Sequence, residues 1–542
     1  MINNPDSSSN SSSSRFTREN QLEQLRANRV FDVVIIGGGA TGLGVALDSA
    51  ARGYRTLLLE QADFAKGTSS RSTKLIHGGV RYLGQGDIKL VFEALFERGL
   101  LLRNAPHVVN MQPFVIPNYD WWSEFLYGVG LKIYDWMAWR YRFPKTSILN
   151  KENVVKMLPN IEQTGLKGGV LYYDGQFDDA RLAINLAQTC ASQGGVLVNY
   201  MRVTGLTKDA QGKVAGVEAI DLEGGEAFSI SAKAVVNATG VFVDEVLKMD
   251  SSNGAPTVRP SQGVHVVLDN SFLEGESALM IPSTEDGRVL FAVPWHGHLL
   301  VGTTDTPLEK HSLEPVALHE EVAFIMKTLR QYLVRKPHES DIRSIFAGLR
   351  PLAAQGNRNG KTKEISRSHK LMTSASGLVT ITGGKWTTYR KMAEDTMDEA
   401  IKVAGLPTAE CVTANLKIHG YSRNGEDTGH LSVYGSDAAD IKALAKAHPE
   451  LDYPLHEDVP NTAAEVVWAV RHEMARTVED VLARRLRILF LNARAAMQIA
   501  PDVARLMAAE LRRDHQWQQA QVKAFASLAQ HYLPARQAET IL

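Results

Sequence analysis

A glycine-rich turn between two apolar strands places the strongest constraint on this chain. Residues 31–60 read FDVVIIGGGATGLGVALDSAARGYRTLLLE, with a β-branched run at Val33–Ile36 and a second apolar run at Thr56–Leu59. Between them lie a G-x-G-x-x-G turn and an Ala-rich stretch that ends at Arg52, before Gly53. This order predicts a β-α-β unit that binds a dinucleotide, with its phosphates at the helix N-terminus.

Each position of the turn predicts a separate contact. Gly37 permits the tight turn, Gly39 lets the backbone approach a pyrophosphate, and Gly42 lets helix and strand pack closely. Ala40 and Thr41 complete the predicted phosphate site. Glu60, at the end of the second strand, is placed to accept the ribose hydroxyls, and its charge argues against the 2′-phosphate of NADP. The turn alone does not separate FAD from NAD.

Composition limits the remaining function classes. A net charge of −1 over 542 residues gives no overall attraction for nucleic acid. The two cysteines, Cys190 and Cys411, fit neither a disulfide framework nor a metal site, and we expect Cys190 in the core. We expect no membrane-spanning helix and no signal peptide, because long apolar runs are lacking.

The chain divides into three parts by pattern. Residues 1–28 predict a disordered Ser-rich tail and a short lead-in helix. Residues 29–404 alternate strands and helices, which predicts a dinucleotide-binding domain interleaved with a mixed-sheet substrate domain. Residues 405–542 carry helical periodicity and predict a C-terminal helical domain. The expected class is α/β, a Rossmann-like two-dinucleotide-domain fold with these two additions.

A polar segment after the first unit is a second candidate binding element. Its hydroxyls and cation suggest contacts with cofactor phosphates, and its paired glycines would let the backbone pass close to a flat ring. These predicted cofactor residues are Thr68, Ser69, Ser70, Lys74, His77, Gly78 and Gly79. A Ser/Gly surface loop is the alternative interpretation of the same residues.

Later strands end in three further candidate sites. Small residues at Ala238, Thr239 and Gly240 follow a buried strand and would pass close to the nucleotide; an ordinary core strand is the alternative. A second strand–turn–helix places a helix N-terminus and a cation near the ring, at Gly384, Lys385, Thr387 and Thr388; a structural turn with a solvated lysine is the alternative. Arg350 stands in the apolar context GLRPL and should meet an anion, either a ligand or an internal carboxylate.

The chain resembles FAD-dependent glycerol-3-phosphate dehydrogenases, most closely the mitochondrial-type branch. The resemblance covers about residues 31–403 and rests on eight ordered motifs: IGGGATG, GTSSRSTKLIHGGVRYL, YYDGQFDDAR, VNATG, PSQGVH, PW with VGTTDTP, GLRPL and ITGGKWTTYRKMAEDT. It implies FAD as the cofactor and oxidation of sn-glycerol 3-phosphate to dihydroxyacetone phosphate, with hydride transfer to flavin N5.

The resemblance also implies roles for individual residues. His265 is the preferred base for the C2 hydroxyl, and His77 is its rival. A dianionic substrate needs several cations and fixed donors. These are expected from Arg81, Tyr82, Thr303, Arg350 and Lys385.

Quinone at a membrane is the expected electron acceptor; a soluble α-glycerophosphate oxidase that reduces O₂ is the alternative. Four of the eight Trp lie in residues 121–139, followed by cations, which suits a peripheral contact with the inner membrane from the cytoplasmic side. A helical hairpin packed on the protein's own core is the competing interpretation.

The C-terminal region contains a cluster of arginines that we expect to form ion pairs on helix surfaces. They are Arg471, Arg476, Arg484, Arg485 and Arg487. The sequence does not determine the oligomeric state, and a homodimer is one of the open alternatives.

Overall fold

The computed structural model describes residues 16–79, 88–119, 144–251, 256–353, 369–423 and 429–534. The strands are β1 (Val30–Ile36), β2 (Thr56–Leu59), β3 (Leu75–Ile76), β4 (Val109–Asn118), β5 (Ser147–Asn150), β6 (Gly168–Phe177), β7 (Val196–Val198), β8 (Met201–Lys208), β9 (Val214–Asp221), β10 (Ala227–Asn237), β11 (Val258–Asp269), β12 (Ala278–Ile281), β13 (Leu290–Trp295), β14 (His298–Gly302), β15 (Thr306–Pro307), β16 (Ser344–Ala353), β17 (His369–Thr373), β18 (Val379–Gly383), β19 (Pro454–His456) and β20 (Val459–Thr462).

The α-helices are α1 (Arg18–Ala27), α2 (Ala40–Ala51), α3 (Ile88–Asn104), α4 (Lys151–Met157), α5 (Asp179–Ser192), α6 (Val243–Asp250), α7 (His319–Tyr332), α8 (Tyr389–Ala404), α9 (Ala438–Ala447), α10 (Ala463–His472), α11 (Ile488–Leu491), α12 (Ala493–Leu511) and α13 (His515–Gln530).

The first sheet carries the predicted dinucleotide unit. Its strand order is β17-β18-β10-β1-β2-β7, and the hairpin β8–β9 extends from β10. Strands β18, β10, β1, β2 and β7 run parallel, and the last four residues of β1 are buried. Such a centre needs cover on its faces. Residues of α2, α5 and α8 cover one face in a shared apolar cluster. Residues of α1 and of the β8–β9 hairpin cover the other face in a second cluster.

The second sheet is mixed, as expected for the substrate domain. Its order is β15-β11-β14-β13-β12-β4-β6-β3, with β16 paired to β11 and β5 paired to β6. Strands β11 and β16 pair antiparallel from Val258 opposite Ala353 to Val267 opposite Ser344. That register sets His265 opposite Phe346, and Arg350 opposite Ser261.

A helical region follows Gly405, which ends α8 in the left-handed conformation with φ 59°. Helices α10, α12 and α13 share an apolar cluster that also takes in Phe346 of the second sheet. Of the helices that the structure describes, none is long and apolar enough to cross a membrane.

The predicted surface pairing of the arginine cluster is wrong for three of its members. Arg484, Arg485 and Arg487 are buried. Arg484 and Arg485 both pair with Asp63, at 2.5 and 2.6 Å, across the contact between the helical region and the first sheet's loops. The periodicity could not reveal this, because a π-helical turn over Asp480–Arg485 changes which side chains face inward.

Candidate active site

The glycine turn has the geometry that its sequence predicts. Gly37 has φ 107°, and a Cβ there would lie 2.8 Å from the carbonyl oxygen of Ala238. A Cβ on Gly42 would collide with the carbonyl oxygen of Gly37. The turn therefore brings bare backbone against the end of β10 and lets α2 start directly above β1, which leaves a cradle for a pyrophosphate.

Glu60 closes the nucleotide end of this cradle. Its two carboxylate oxygens accept hydrogen bonds from the backbone amides of Gly38 at 2.6 Å and Ala62 at 2.8 Å. Burial raises the pKa of Glu60, and these two amides act in the opposite direction. Each oxygen keeps a further lone pair, so the fixed carboxylate can still accept from ribose hydroxyls.

One cavity of about 510 Å³ joins the predicted segments. It runs from the glycine turn to the second sheet and to the turn after β18. The predicted residues that line it are Gly37, Gly39, Ala40, Thr41, Glu60, Thr68, Ser69, His77, Gly79, Ala238, Thr239, Gly240, His265, Thr303, Arg350, Gly384, Lys385 and Thr387. Segments that lie more than 300 residues apart in sequence therefore meet around a single elongated space.

The remaining predicted residues are placed differently. Gly42, Ser70, Gly78 and Thr388 are not among the residues that line the cavity. Lys74 was expected at the cofactor, but its ammonium is buried in an ion pair with Asp179 at 2.7 Å. Burial lowers the pKa of Lys74 to about 7, although Asp179 opposes the shift. Arg81 and Tyr82 lie outside the described residues, as does the Trp-rich stretch 121–139.

His265 lies on β11 at the cavity wall. Its Nε2 is 2.9 Å from the hydroxyl of Thr73, and its ring stacks on Phe346 with a centroid distance of 4.8 Å. Burial lowers its pKa well below the usual value, and the charges of Lys74 and Arg350 lower it further. The imidazole is therefore neutral near pH 7 and can accept a proton.

Arg350 meets both an internal carboxylate and the cavity. Its guanidinium donates to the Thr303 hydroxyl and the Thr304 carbonyl, each at 3.0 Å, and lies 3.4 Å from Asp305. The side chain is 21% exposed, so these contacts hold the fork in place without covering it. An anion that enters the cavity would compete with these contacts for the guanidinium donors.

The turn after β18 forms another part of the cavity lining. Gly383 and Gly384 both have φ 77°, and Lys385 follows them. A 3-10 turn at Trp386–Thr388 follows, and α8 starts at Tyr389, so the predicted residues Thr387 and Thr388 come just before the helix. The first turn of α8 still follows the cavity wall.

Thr73 and Trp386 are two of the several lining residues that were not predicted from sequence. Thr73 contacts His265, and the Trp386 indole donates to the Ser69 carbonyl at 2.9 Å. Thr73 lies in the same hydroxyl-rich segment as the predicted residues, but the sequence did not indicate that it contacts His265. Trp386 follows the GGK turn directly and could have been found by extending that candidate site by one residue.

A dinucleotide cradle in one cavity with a buried histidine and an arginine fits a flavin-dependent oxidoreductase. The family model "FAD dependent oxidoreductase" matches residues 32–390, and the model "C-terminal domain of alpha-glycerophosphate oxidase" matches residues 379–521. FAD is thus the cofactor, and the backbone cradle fits its pyrophosphate.

Individual relatives narrow the class. The chain is 41% identical to a protein named probable mitochondrial glycerol-3-phosphate dehydrogenase from Caenorhabditis elegans, over 91% of this chain and 72% of that protein. A mitochondrial glycerol-3-phosphate dehydrogenase from Schizosaccharomyces pombe is 38% identical over 95% and 89%. The solved glycerol-3-phosphate dehydrogenase of Bacillus halodurans with FAD aligns at TM-score 0.77 and 30% identity, over 96% and 98% of the two chains. The chain belongs to the FAD-dependent glycerol-3-phosphate dehydrogenase family.

Proposed function

We propose that this cavity oxidises sn-glycerol 3-phosphate to dihydroxyacetone phosphate. The observation that carries the proposal is the meeting of Arg350, His265 and Lys385 in the same cavity as the Gly37 turn. That places an anion-binding group and a neutral imidazole beside the cofactor cradle. The family membership gives the substrate class.

The substrate phosphate would bind at the cationic end of the cavity. Arg350 offers a planar fork that suits a phosphate dianion, and the Thr303 hydroxyl accepts from that fork. That hydroxyl donates to the Thr304 carbonyl and would turn from it to donate to a substrate oxygen. Lys385, which also lines the cavity, adds a positive charge. Arg81 and Tyr82 stay in the proposal as substrate ligands, although they lie outside the described residues.

His265 would accept the proton of the substrate's C2 hydroxyl. Its low pKa keeps it neutral before the substrate binds. The arriving phosphate dianion partly offsets the charges of Lys74 and Arg350, which raises the proton affinity of the imidazole when it is needed. His77 also lines the cavity and remains the rival base.

FAD, when bound, supplies the acceptor for the C2 hydride at flavin N5. The chain holds it through the cofactor residues that line the cavity. Lys385 and the turn at the start of α8 would favour negative charge at the pyrimidine edge of the ring.

We further propose quinone as the electron acceptor and peripheral contact with the inner membrane. The support is the mitochondrial-type family and the aromatic and cationic residues of the segment 121–145. The alternative is delivery of electrons to O₂ with formation of peroxide.

One experiment tests both the substrate and the electron acceptor. The purified protein should be yellow, and anaerobic glycerol 3-phosphate should bleach its visible absorbance. A soluble quinone analogue should then restore the colour faster than air-saturated buffer does. Failure to bleach with glycerol 3-phosphate would overturn the substrate assignment. Stoichiometric peroxide in the absence of quinone would establish the oxidase instead.

A further inference from the structure

A buried carboxylate outside the cavity organises one of its walls. Asp179, the first residue of α5, has no exposed surface. Its Oδ2 accepts from the Ser72 amide at 3.1 Å, the Ser72 hydroxyl at 2.7 Å and the Lys74 ammonium at 2.7 Å. Its Oδ1 accepts from the Ala180 amide at 2.8 Å and Arg487 at 2.9 Å. Five donors from three parts of the chain therefore converge on one side chain.

These bonds fix the residues on both sides of Thr73. Ser72 and Lys74 are held by Asp179, and the Lys74 ammonium also donates to the Ser70 carbonyl at 2.8 Å. Arg487 donates to that same carbonyl at 2.9 Å. Thr73 lies between the anchored residues, and its hydroxyl lies 2.9 Å from Nε2 of His265.

We propose that Asp179 is a positioning residue for His265, acting through segment 70–74 to hold the Thr73 hydroxyl against Nε2. Thr73 fixes the orientation in which the ring meets the substrate. The inference deepens the proposed function and depends on His265 acting as the base. A displacement of about 1 Å in such a contact can cost on the order of 100-fold in rate.

The charge balance explains why a carboxylate is needed at this position. Lys74 and Arg487 are both buried beside Asp179, with side-chain exposures of 0% and 3%. Without Asp179, these cations would lose their closest carboxylate, and the segment would rearrange to reduce that cost. The Thr73 hydroxyl would then leave its place at His265.

The first test removes only the hydroxyl. Thr73→Val is nearly isosteric, and we expect kcat to fall about 10-fold or more, with KM for glycerol 3-phosphate changed less than about 2-fold. Thr73→Ser keeps the hydroxyl and should restore kcat to within about 3-fold of wild type. Equal activity of the Val and Ser variants would overturn the contact's role.

The second test asks whether Asp179 acts through Thr73. Asp179→Asn should lower kcat with flavin still bound, and adding it to Thr73→Val should lower kcat little further. Multiplicative effects of the two changes would contradict the proposal. Asp48→Asn is the matched control, since Asp48 is an equally buried carboxylate whose ion pair is with Arg52 and not with Lys74 or Arg487. If Asp179→Asn does not fold, Ser72→Ala replaces it, because it removes one of the linking hydroxyls and keeps every charge.

Failure of the inference differs from failure of the proposed function. If His265→Asn keeps near-normal kcat, the assignment of the base fails. If His265→Asn is slow but Thr73→Val and Asp179→Asn turn over normally, only the positioning role fails.

Discussion

His265, the proposed base, is buried and has a lowered pKa. It is 2% exposed and stacked on Phe346, which keeps water away, and two cations act to lower its pKa. Such a group is a weak base in the free protein. In the role that we propose, it would become effective once a dianion enters the cavity, because the added negative charge raises its pKa. Proton abstraction would then be coupled to substrate binding.

Replacing each histidine decides which one is the base. His265→Asn should lower kcat by about 10²- to 10⁴-fold, the range for loss of a general base, with flavin content unchanged. His77→Asn is the matched comparison, because both residues line the cavity. Steady-state kinetics and the flavin absorbance of both variants give the answer. A larger loss of kcat in His77→Asn would exchange the two roles.

Arg350 should act mainly on binding. Arg350→Ala removes a charge-assisted contact to phosphate worth about 1.5–3 kcal/mol, so KM should rise about 10- to 150-fold. Arg350→Lys keeps the charge but not the planar fork, so its KM should lie between those of wild type and Arg350→Ala. Unchanged KM for glycerol 3-phosphate in Arg350→Ala would remove the residue from the substrate site.

His107 gives a pH-dependent test of stability. Burial lowers its pKa to about 4, while its bond to Asn185 opposes the shift. As pH falls from about 6.5 to 4, the unfolded chain binds a proton that the folded chain does not, and stability falls by up to about 1.4 kcal/mol per pH unit. The Tm of His107→Gln should decline less over this range than that of wild type. Parallel Tm curves would contradict the assignment.

Single residues differ in how far sequence predicts them. Gly37, Glu60 and Arg350 were predictable, because a turn, a strand end and an arginine in an apolar run each constrain the chemistry locally. The ion pair of Lys74 with Asp179 was not, since it joins residues 105 positions apart and depends on how α5 packs. The Thr73–His265 contact spans 192 positions and was hidden for the same reason.

At the scale of elements, α2 depends on a missing side chain. Gly42→Ala would place a Cβ against the carbonyl of Gly37, so we expect α2 to shift and the flavin content of the purified protein to fall strongly. Gly205→Ala is the control, because its Cβ would meet nothing closer than 3.9 Å. The ratio of flavin absorbance to protein absorbance gives the flavin content of both variants. Full flavin content in Gly42→Ala would show that the turn can relax.

Element types were easier to predict than their pairing. Apolar runs and glycine turns identified β1, α2, β2 and the strand before the second glycine turn. The pairing of β11 with β16 was not predictable from these patterns, since it joins Val258 to Ala353 and its register depends on the completed sheet.

At the scale of the whole molecule, buried ion pairs join the helical region to the first sheet's loops. Burial alone would raise the pKa of Asp63, but Arg485 and Arg484 lower it to about 2. Asp63→Ala would leave both guanidinium groups without this carboxylate and should cost about 3–5 kcal/mol. The control Arg505→Ala, which breaks a mostly exposed pair with Asp502, should cost at most about 1 kcal/mol. Denaturant unfolding measures the free energy of unfolding of both variants. Equal losses would mean that the buried ion pairs of Asp63 contribute no more than the exposed pair.

The bond from the Trp386 indole to the Ser69 carbonyl has a consequence for biosynthesis. Ser69 also accepts from the amide of Ala40 at 2.8 Å, so one residue near the start joins the first turn to a segment far downstream. While Trp386 is still inside the ribosome, the nascent chain lacks the part of the cavity wall that Trp386 forms. Complete enclosure of the flavin must therefore wait until most of the polypeptide has been synthesised and released from the exit tunnel.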